Sequence, residues 1–523
     1  MTDPSNLDFV SDFPRATRER WLAAVDGALK GKPFEKTLVG KTADGLRIEP
    51  LYDRATTSSP LAGREPGAPW TIVQRVDNPD VTVANVQALE DLNGGASGLV
   101  LVTKGGIGDR RGDGVVIERL SDIEALFDGI MLDLVALRID AGTAGGHVAA
   151  MIAAYAAKHQ IDPASLTIAF GIDPISAFAR RGTLEDWRSA VAKSVDATLG
   201  LTTRGFRGAA LMADGRVVHD AGGSEAQELA FALGAVVDYW RGLEAGGVTL
   251  DAARRAVAVT LAADANQFLT TAKMRAMRLL FARAEVACGL EPSVLDLHAE
   301  TAWRMVSRVD PAVNWLRTTV ACAAAGMGGA NHVTVQPWTA ALGLPDSFGR
   351  RIARNTQLIL IEESNLHRVT DPAAGSGGVE ALTMQLAEAA WALFQADEAV
   401  GGLVAALSSG VVQARIAETN AARKKAIATR REPLTGTSEF PNIAEARQDV
   451  LTPTVPAKPV AGMARVLPAA GAGARFTALV EAFTAGAVRA ELSRPKTDRV
   501  FVSPLIPYRL AEPFEASREA LDA

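Results

Sequence analysis

Between Ala256 and Thr301 the chain reads AVAVTLAADANQF (256–268), LTTAKMRAMRLLFARAEVACG (269–289) and SVLDLHAET (293–301). The first and third pieces are short apolar runs that turn polar where they end, at Asp264 and Asn266 and again at His298 and Glu300. The middle piece spaces its apolar residues at helical intervals and closes on Gly289, which predicts a helix. Strand, helix and strand within about 45 residues make a parallel βαβ unit, and polar residues where a strand exits are where such units place ligand contacts.

The same unit recurs outward in both directions. Strands are predicted at PWTIVQRV (69–76), ASGLVLVTKG (96–105), LDLVALRIDAG (132–142), SLTIAFGID (165–173), FRGAALMADG (206–215), 256–264, 293–301 and GANHVTVQP (329–337). Helical patterns lie between them, and SFGRRIARNTQLILIEES (347–364) follows the last. About eight near-continuous apolar strands, each followed by a helix, predict an α/β fold of the closed (β/α)8 barrel type. An open doubly wound sheet would alternate in the same way with fewer strands.

The barrel is assigned to 69–365. An N-terminal helix within 7–36 and an extended arm precede it (1–68), and a helical extension (366–431) follows. From 432 to 523 Pro, Gly, Thr and Ala give a linker and a truncated C-terminal region with one helix (476–492) and a VFVSP strand. With 523 residues there is ample length for a large core. A net charge of -6 argues against nucleic acid as a partner. Two cysteines, Cys288 and Cys322, both in apolar helical patterns, point to a reducing, cytoplasmic setting. Neither an export signal nor a membrane span is expected.

Candidate chemistry gathers at the predicted strand exits: Lys104, Arg138, Asp140, Asp173, Asp214, Asp264, His298 with Glu300, and Gln336. Chain leaving a core is polar for ordinary reasons, so each is equally readable as structural. The loops KGGIGDRRGDG (104–114) and DAGTAGG (140–146) could cradle phosphate through backbone N–H groups, although neither matches a known phosphate loop and turns need Gly in any case. The six histidines stand at 147, 159, 219, 298, 332 and 367, none in zinc spacing, so no metal site is expected. No GxSxG elbow is present; Ser376 lies in AAGSGG without a preceding strand. Lys273 to Ala276 and the pair Arg180-Arg181 read as solvated helix faces.

The strings FEKTLVGKTADGLRIEPLYDR (34–54), PWTIVQR (69–75), AKMRA (272–276), RTT (317–319), ALGLP (341–345), RIARNTQLILIEES (351–364) and DPAAGSGGVEALT (371–383) are collinear with, and resemble, the adenosylcobalamin-dependent methylmalonyl-CoA mutases. The resemblance implies a barrel with an acyl-CoA substrate reaching the site along its axis. It also exposes departures. Leu61, in PLAGREPGAPWT, stands where catalytic members carry a Tyr, and Val217, in VVHDAGGS, stands where they carry a His with His219 two places on. Gly171 replaces a Gln while Arg181 keeps an Arg that resembles a substrate-carboxylate contact; Ala256-Val257-Ala258 replaces RLS. None of Leu, Val, Gly or Ala offers a polar side-chain atom, so no catalytic residue is assigned. Arg181 and His298 remain as substrate-contact candidates.

The family's flavodoxin-like cobalamin domain, marked by DxHxxG, is expected to be absent, since Asp296-Leu297-His298 continues Ala299-Glu300-Thr301. What remains resembles the small, beta subunit of heterodimeric bacterial mutases. That implies a catalytic alpha subunit as partner, adenosylcobalamin held by that partner and by none of this chain's residues alone, and acyl-CoA at the level of the complex. Catalytic members line the axis with small hydroxyl residues, whereas Val, Leu and Ala predominate in the strands here, so a blocked axis is expected. Two other readings stay open: an active acyl-CoA mutase of altered substrate range that takes cobalamin from a separate small protein, and a metal-independent barrel lyase using Lys104, Asp173 and His298.

Overall fold

The computed structural model describes residues 16–522 apart from 62, 443, 447, 458 and 493–498. The eight expected strands form one parallel sheet: β1 Thr71–Val76, β2 Gly98–Val102, β3 Ala136–Asp140, β4 Ile168–Ala169, β5 Leu211–Asp214, β6 Val257–Ala263, β7 Leu297–Thr301 and β8 His332–Thr334. Hydrogen-bonded order follows the chain from β1 to β4 one way and from β8 back to β5 the other, with β1 beside β8. The remaining seam, between β4 and β5, is closed by a parallel bridge from Ile172 to Leu211 and by the Phe170 amide donating to Ala209 at 2.8 Å. The barrel is therefore complete.

All seven residues of β6 are buried, which is why this strand reads as an unbroken apolar run: one face packs on helices and the other on the barrel interior. Helix Gln267–Ala287 follows as expected, started by the Asn266 side chain accepting from the Leu269 amide at 3.2 Å. Its chain then reverses at Gly289, where φ is +76°, a conformation that favours glycine.

Three elements differ from the sequence reading. The N-terminal helix is Arg18–Leu29, followed by Phe34–Leu38 and a short hairpin of 40–41 against 47–48; the expected start at 7 lies outside the described residues. The long helix expected over 403–431 breaks at Gly410 (φ +82°) into Leu403–Ser409 and Val411–Ala428. Leu184 and Glu185 open the string LEDWRSAVAKSVDATLG (184–200), whose pattern predicts a helix; instead 183–185 pair antiparallel with 499–501, and the helix begins at Trp187 with Asp186 accepting from the Ser189 amide.

The C-terminal region returns to the barrel. Helix Ala474–Thr484 packs on helices Gly145–Lys158 and Trp187–Thr203 through Phe476, Leu479 and Phe483. Buried Asp196 fixes it by accepting from the amides of Gly471 and Phe476, both at 2.7 Å.

Gly171 explains one departure noted in the sequence. Its φ is +61°, and a Cβ there would lie 1.8 Å from the Ile139 carbonyl oxygen, so this backbone excludes any side chain, a Gln included. Gly171→Ala should lower the unfolding free energy by about 2–4 kcal/mol, from strained backbone plus overpacking. Urea titration followed by circular dichroism measures it, and a loss below about 0.5 kcal/mol would show that the β3–β4 contact gives way freely.

Candidate functional site

In a (β/α)8 barrel the residues at the C-terminal ends of the strands converge on the mouth, where chemistry is normally done. Here they converge on each other. Glu300, on β7, is fully buried and is contacted by Arg110 Nη1 at 2.7 Å, Arg75 Nη1 at 3.2 Å, Arg138 Nη2 at 3.4 Å and Arg216 Nη1, with Gln336 Nε2 at 3.2 Å. Arg216 also pairs with Asp214 and, at 2.8 Å, with Asp140. Asp220 takes Arg110 at 2.7 Å and Arg180 at 3.1 Å, while Arg75 reaches Asp77 at 3.2 Å. Five guanidiniums thus face five carboxylates in a closed network of buried charge.

Burial alone would raise the Glu300 pKa, but Arg216, Arg110, Arg75 and Arg138 hold it well below the usual carboxylate range. It is a fixed anion with no free lone pair aimed at a substrate. The blocked axis expected from the strands is thus filled by ion pairs at the mouth, in place of the Val, Leu and Ala that the sequence suggested. Below the network the interior carries two small apolar clusters, Val73 with Val100 and Val102, and Ala258 with Ala169, Ala209 and Met212.

The glycine-rich loop 104–114 is folded by carboxylates. The amides of Ile107 and Gly108 donate to Asp140 at 2.6 and 2.9 Å, and those of Gly105, Gly112 and Gly114 donate to Asp109. Five donors of this loop that could have cradled phosphate are thereby taken, while Gly142, Thr143 and Gly146 of the second loop border a cavity beside Arg181.

Each sequence candidate now has a position. Lys104 is exposed in the loop after β2. Arg138 is shared between Glu300 and Thr260 Oγ1, the latter at 2.9 Å. Asp173 caps helix Pro174–Arg181 and accepts from the Tyr239 hydroxyl at 2.5 Å and the Ser176 amide at 2.9 Å. Asp264 accepts from Arg304 at 3.0 Å and lies 3.2 Å from His219 Nε2. Leu61 is not at the mouth: its amide donates to Asp371, and the neighbouring Gly63 carbonyl accepts from Asn331, just before β8. Val217 is buried beside Arg216. Arg181 donates to Thr143 Oγ1 and the Gly105 carbonyl, both at 2.8 Å, and borders a cavity of about 400 Å³ with Asp173, Lys193 and Arg475.

His298 requires a correction. It is the second residue of β7, so it faces the opposite, N-terminal opening, and the strand exits one layer further on at Glu300. Lys104, Asp173 and His298 therefore do not meet, which removes the geometry a lyase would need. Of the helix residues read as solvated, Arg181 is exposed, but Lys273 forms a fully buried pair with Glu228 at 2.6 Å, and Arg275 pairs with Asp371 and Glu380.

Sequence reasoning missed Arg75, Asp77, Arg110, Arg216 and Asp220. Arg75 stands one residue before the end of a strand, but the other four come from loops and a five-residue helix (216–220) and carry no periodic signal. It also separated His298 from His332 and Asp296, which the parallel register of β7 and β8 brings together.

The family profile described as methylmalonyl-CoA mutase matches residues 62–465. The chain is 41% identical over 483 residues to the methylmalonyl-CoA mutase small subunit of Streptomyces virginiae, covering 88% of this chain and 76% of that one. It is 34% identical to the small subunit of Propionibacterium freudenreichii subsp. shermanii (87% and 73% covered) and 30% identical to the methylmalonyl-CoA mutase of Cereibacter sphaeroides (81% and 64% covered).

Two measurements probe the mouth. Glu300→Gln leaves four guanidiniums without their shared anion and should cost about 3–5 kcal/mol in urea unfolding; a loss under about 1 kcal/mol would mean the arginines find other partners. Burial pushes the Asp173 carboxyl up from 3.8 to about 7. The folded state then holds this proton where the unfolded chain releases it, so Asp173 contributes stability that declines as pH rises from about 4 to about 7. Asp173→Asn should flatten the stability profile in that window, and an unchanged slope would contradict the assignment.

Proposed function

The chain belongs to the methylmalonyl-CoA mutase family, and we propose that within it this chain is the small, non-catalytic beta subunit, which holds a catalytic alpha subunit in a heterodimer. The complex interconverts methylmalonyl-CoA and succinyl-CoA; this chain supplies shape and contact surface and no reacting group. The observation that carries the reading is the mouth itself: Asp140, Asp214 and Asp220 are each spent on arginines, and Glu300 is locked among four of them. A general acid or base must be free to exchange a proton with substrate, and a carboxylate in this setting is not. The names of the Streptomyces and Propionibacterium relatives agree with a subunit role.

Mutases of this family use adenosylcobalamin. The residues at this mouth do not fit a cobalt ligand: His219 is wholly buried against Asp264, and His147, in the first turn of helix Gly145–Lys158, packs its ring edge-on against Phe483 with centroids 6.3 Å apart. We therefore assign the cofactor, and the acyl-CoA chemistry with it, to the partner subunit. No described helix is long and apolar enough to cross a membrane, and we assign the assembly to the cytoplasm.

The test is reconstitution. Purified alone, with adenosylcobalamin and methylmalonyl-CoA added, the chain should form no succinyl-CoA. Co-expressed with a larger homologue from the same source, it should co-purify in equal amounts and the mixture should turn over. Succinyl-CoA formation by the chain alone would overturn the proposal, as would failure to associate with any larger homologue.

A further inference from the structure

We propose that Asp296, His298 and His332 form a binding site for a zinc-class divalent transition metal at the N-terminal opening of the barrel, at the opposite end from the mouth. The parallel register pairs His298 on β7 with His332 on β8, so both imidazoles project from neighbouring positions of one inner face. Asp296 lies two residues before His298 and shares that face. His298 Nε2 is 3.3 Å from Asp296 Oδ2, His332 Nε2 is 3.2 Å from Asp296 Oδ1, and one donor atom from each residue falls within 4.8 Å of the others. With metal–ligand bonds of 2.0–2.2 Å, the edge of a zinc tetrahedron is about 3.3 Å. The carboxylate-to-imidazole spacings already match that edge. The two rings are stacked at 4.3 Å, so a rotation about χ2 is what remains for both nitrogens to turn on one ion.

The scaffold beneath these side chains is fixed. The Asn331 amide donates to the Leu297 carbonyl at 2.8 Å, the Leu297 amide donates to Asn331 Oδ1 at 3.1 Å, and the same oxygen takes Arg278 at 2.8 Å. Such backing around three convergent donors is what a metal site needs to hold its geometry. Access is present too: the triad borders a cavity of about 50 Å³, and the Asp296 and His332 side chains are 43% and 18% exposed. That leaves room for water to complete the coordination shell. Arg138 borders the same cavity, but its guanidinium is held toward Glu300 and Thr260.

Two imidazoles and one carboxylate select the metal class. Zinc, cobalt and nickel favour this N2O set, whereas calcium and magnesium require more oxygen donors. A bound ion would join β7 to β8 and cap the axis from below. The site stands apart from the catalytic question, since none of its three ligands belongs to the mouth network.

The experiment uses the full chain stripped with EDTA. Zinc chloride is titrated by calorimetry and cobalt(II) chloride by visible absorption. One equivalent of zinc should bind, and cobalt(II) should develop the intense bands of a four- or five-coordinate N2O site. Asp296→Asn and His332→Gln should each weaken zinc binding at least about ten-fold. His159→Ala, at an exposed surface histidine near Glu124, should leave it unchanged. The wild-type cobalt spectrum decides independently of how well the variants fold: a weak spectrum of the hexa-aquo type, or no saturable zinc binding, would overturn the proposal. So would zinc binding that survives both triad substitutions in folded protein.

Discussion

Glu300 sits in a fully enclosed position where an isolated charge would cost several kcal/mol, and it stays ionised because arginines from three directions need it as much as it needs them. Arg75 arrives from β1, Arg138 from β3, and Arg110 and Arg216 from the loops and short helix above the strands. One carboxylate thereby ties together parts of the barrel that are far apart in sequence. An oily plug of the same volume would fill the mouth equally well, yet would not demand that each loop take one conformation. The charged plug does, since every hydrogen bond has a direction.

This constraint orders the rest of the mouth. Asp140, drawn toward Arg216, in turn collects the amides of Ile107 and Gly108 and so folds the glycine-rich loop inward. Asp220, at the end of the 216–220 helix, meets Arg110 and Arg180 and fixes the next layer. The loops of a barrel enzyme normally keep such groups available to substrate. In this member of the mutase family the acidic groups Asp140, Asp214, Asp220 and Glu300 are turned on arginines of the same mouth.

The barrel was legible because parallel strands buried on both faces must be apolar along their length, and β6 and the helix after it state that plainly in AVAVTLAAD and LTTAKMRAMRLLF. Strand ends were less legible. His298 and Glu300 are two residues apart and look alike as polar terminators, yet one faces the N-terminal opening and the other the mouth, because the strand begins at Leu297. Leu61 aligned with a catalytic position by spacing alone, while its backbone is fastened to Asp371 well away from the mouth. The ion network was invisible for a different reason. Arg110 and Arg216 lie in segments without periodicity, and even for Arg75 and Arg138, which stand in strands, a guanidinium gives no local sign of whether it faces water or a buried carboxylate. The 183–185 strand was missed likewise, since its partner, 499–501, lies near the other end of the chain.

Helix Ala474–Thr484 has a bearing on how the molecule comes into being. It covers apolar side chains of helices that were made some three hundred residues earlier, and Asp196 waits for the amides of Gly471 and Phe476 to arrive. During translation the emerging barrel thus carries an uncovered oily flank until residues 471–484 have been made. Exposed apolar surface over such an interval is what chaperones shield, and here the shield is a stave cut some three hundred residues further along the plank.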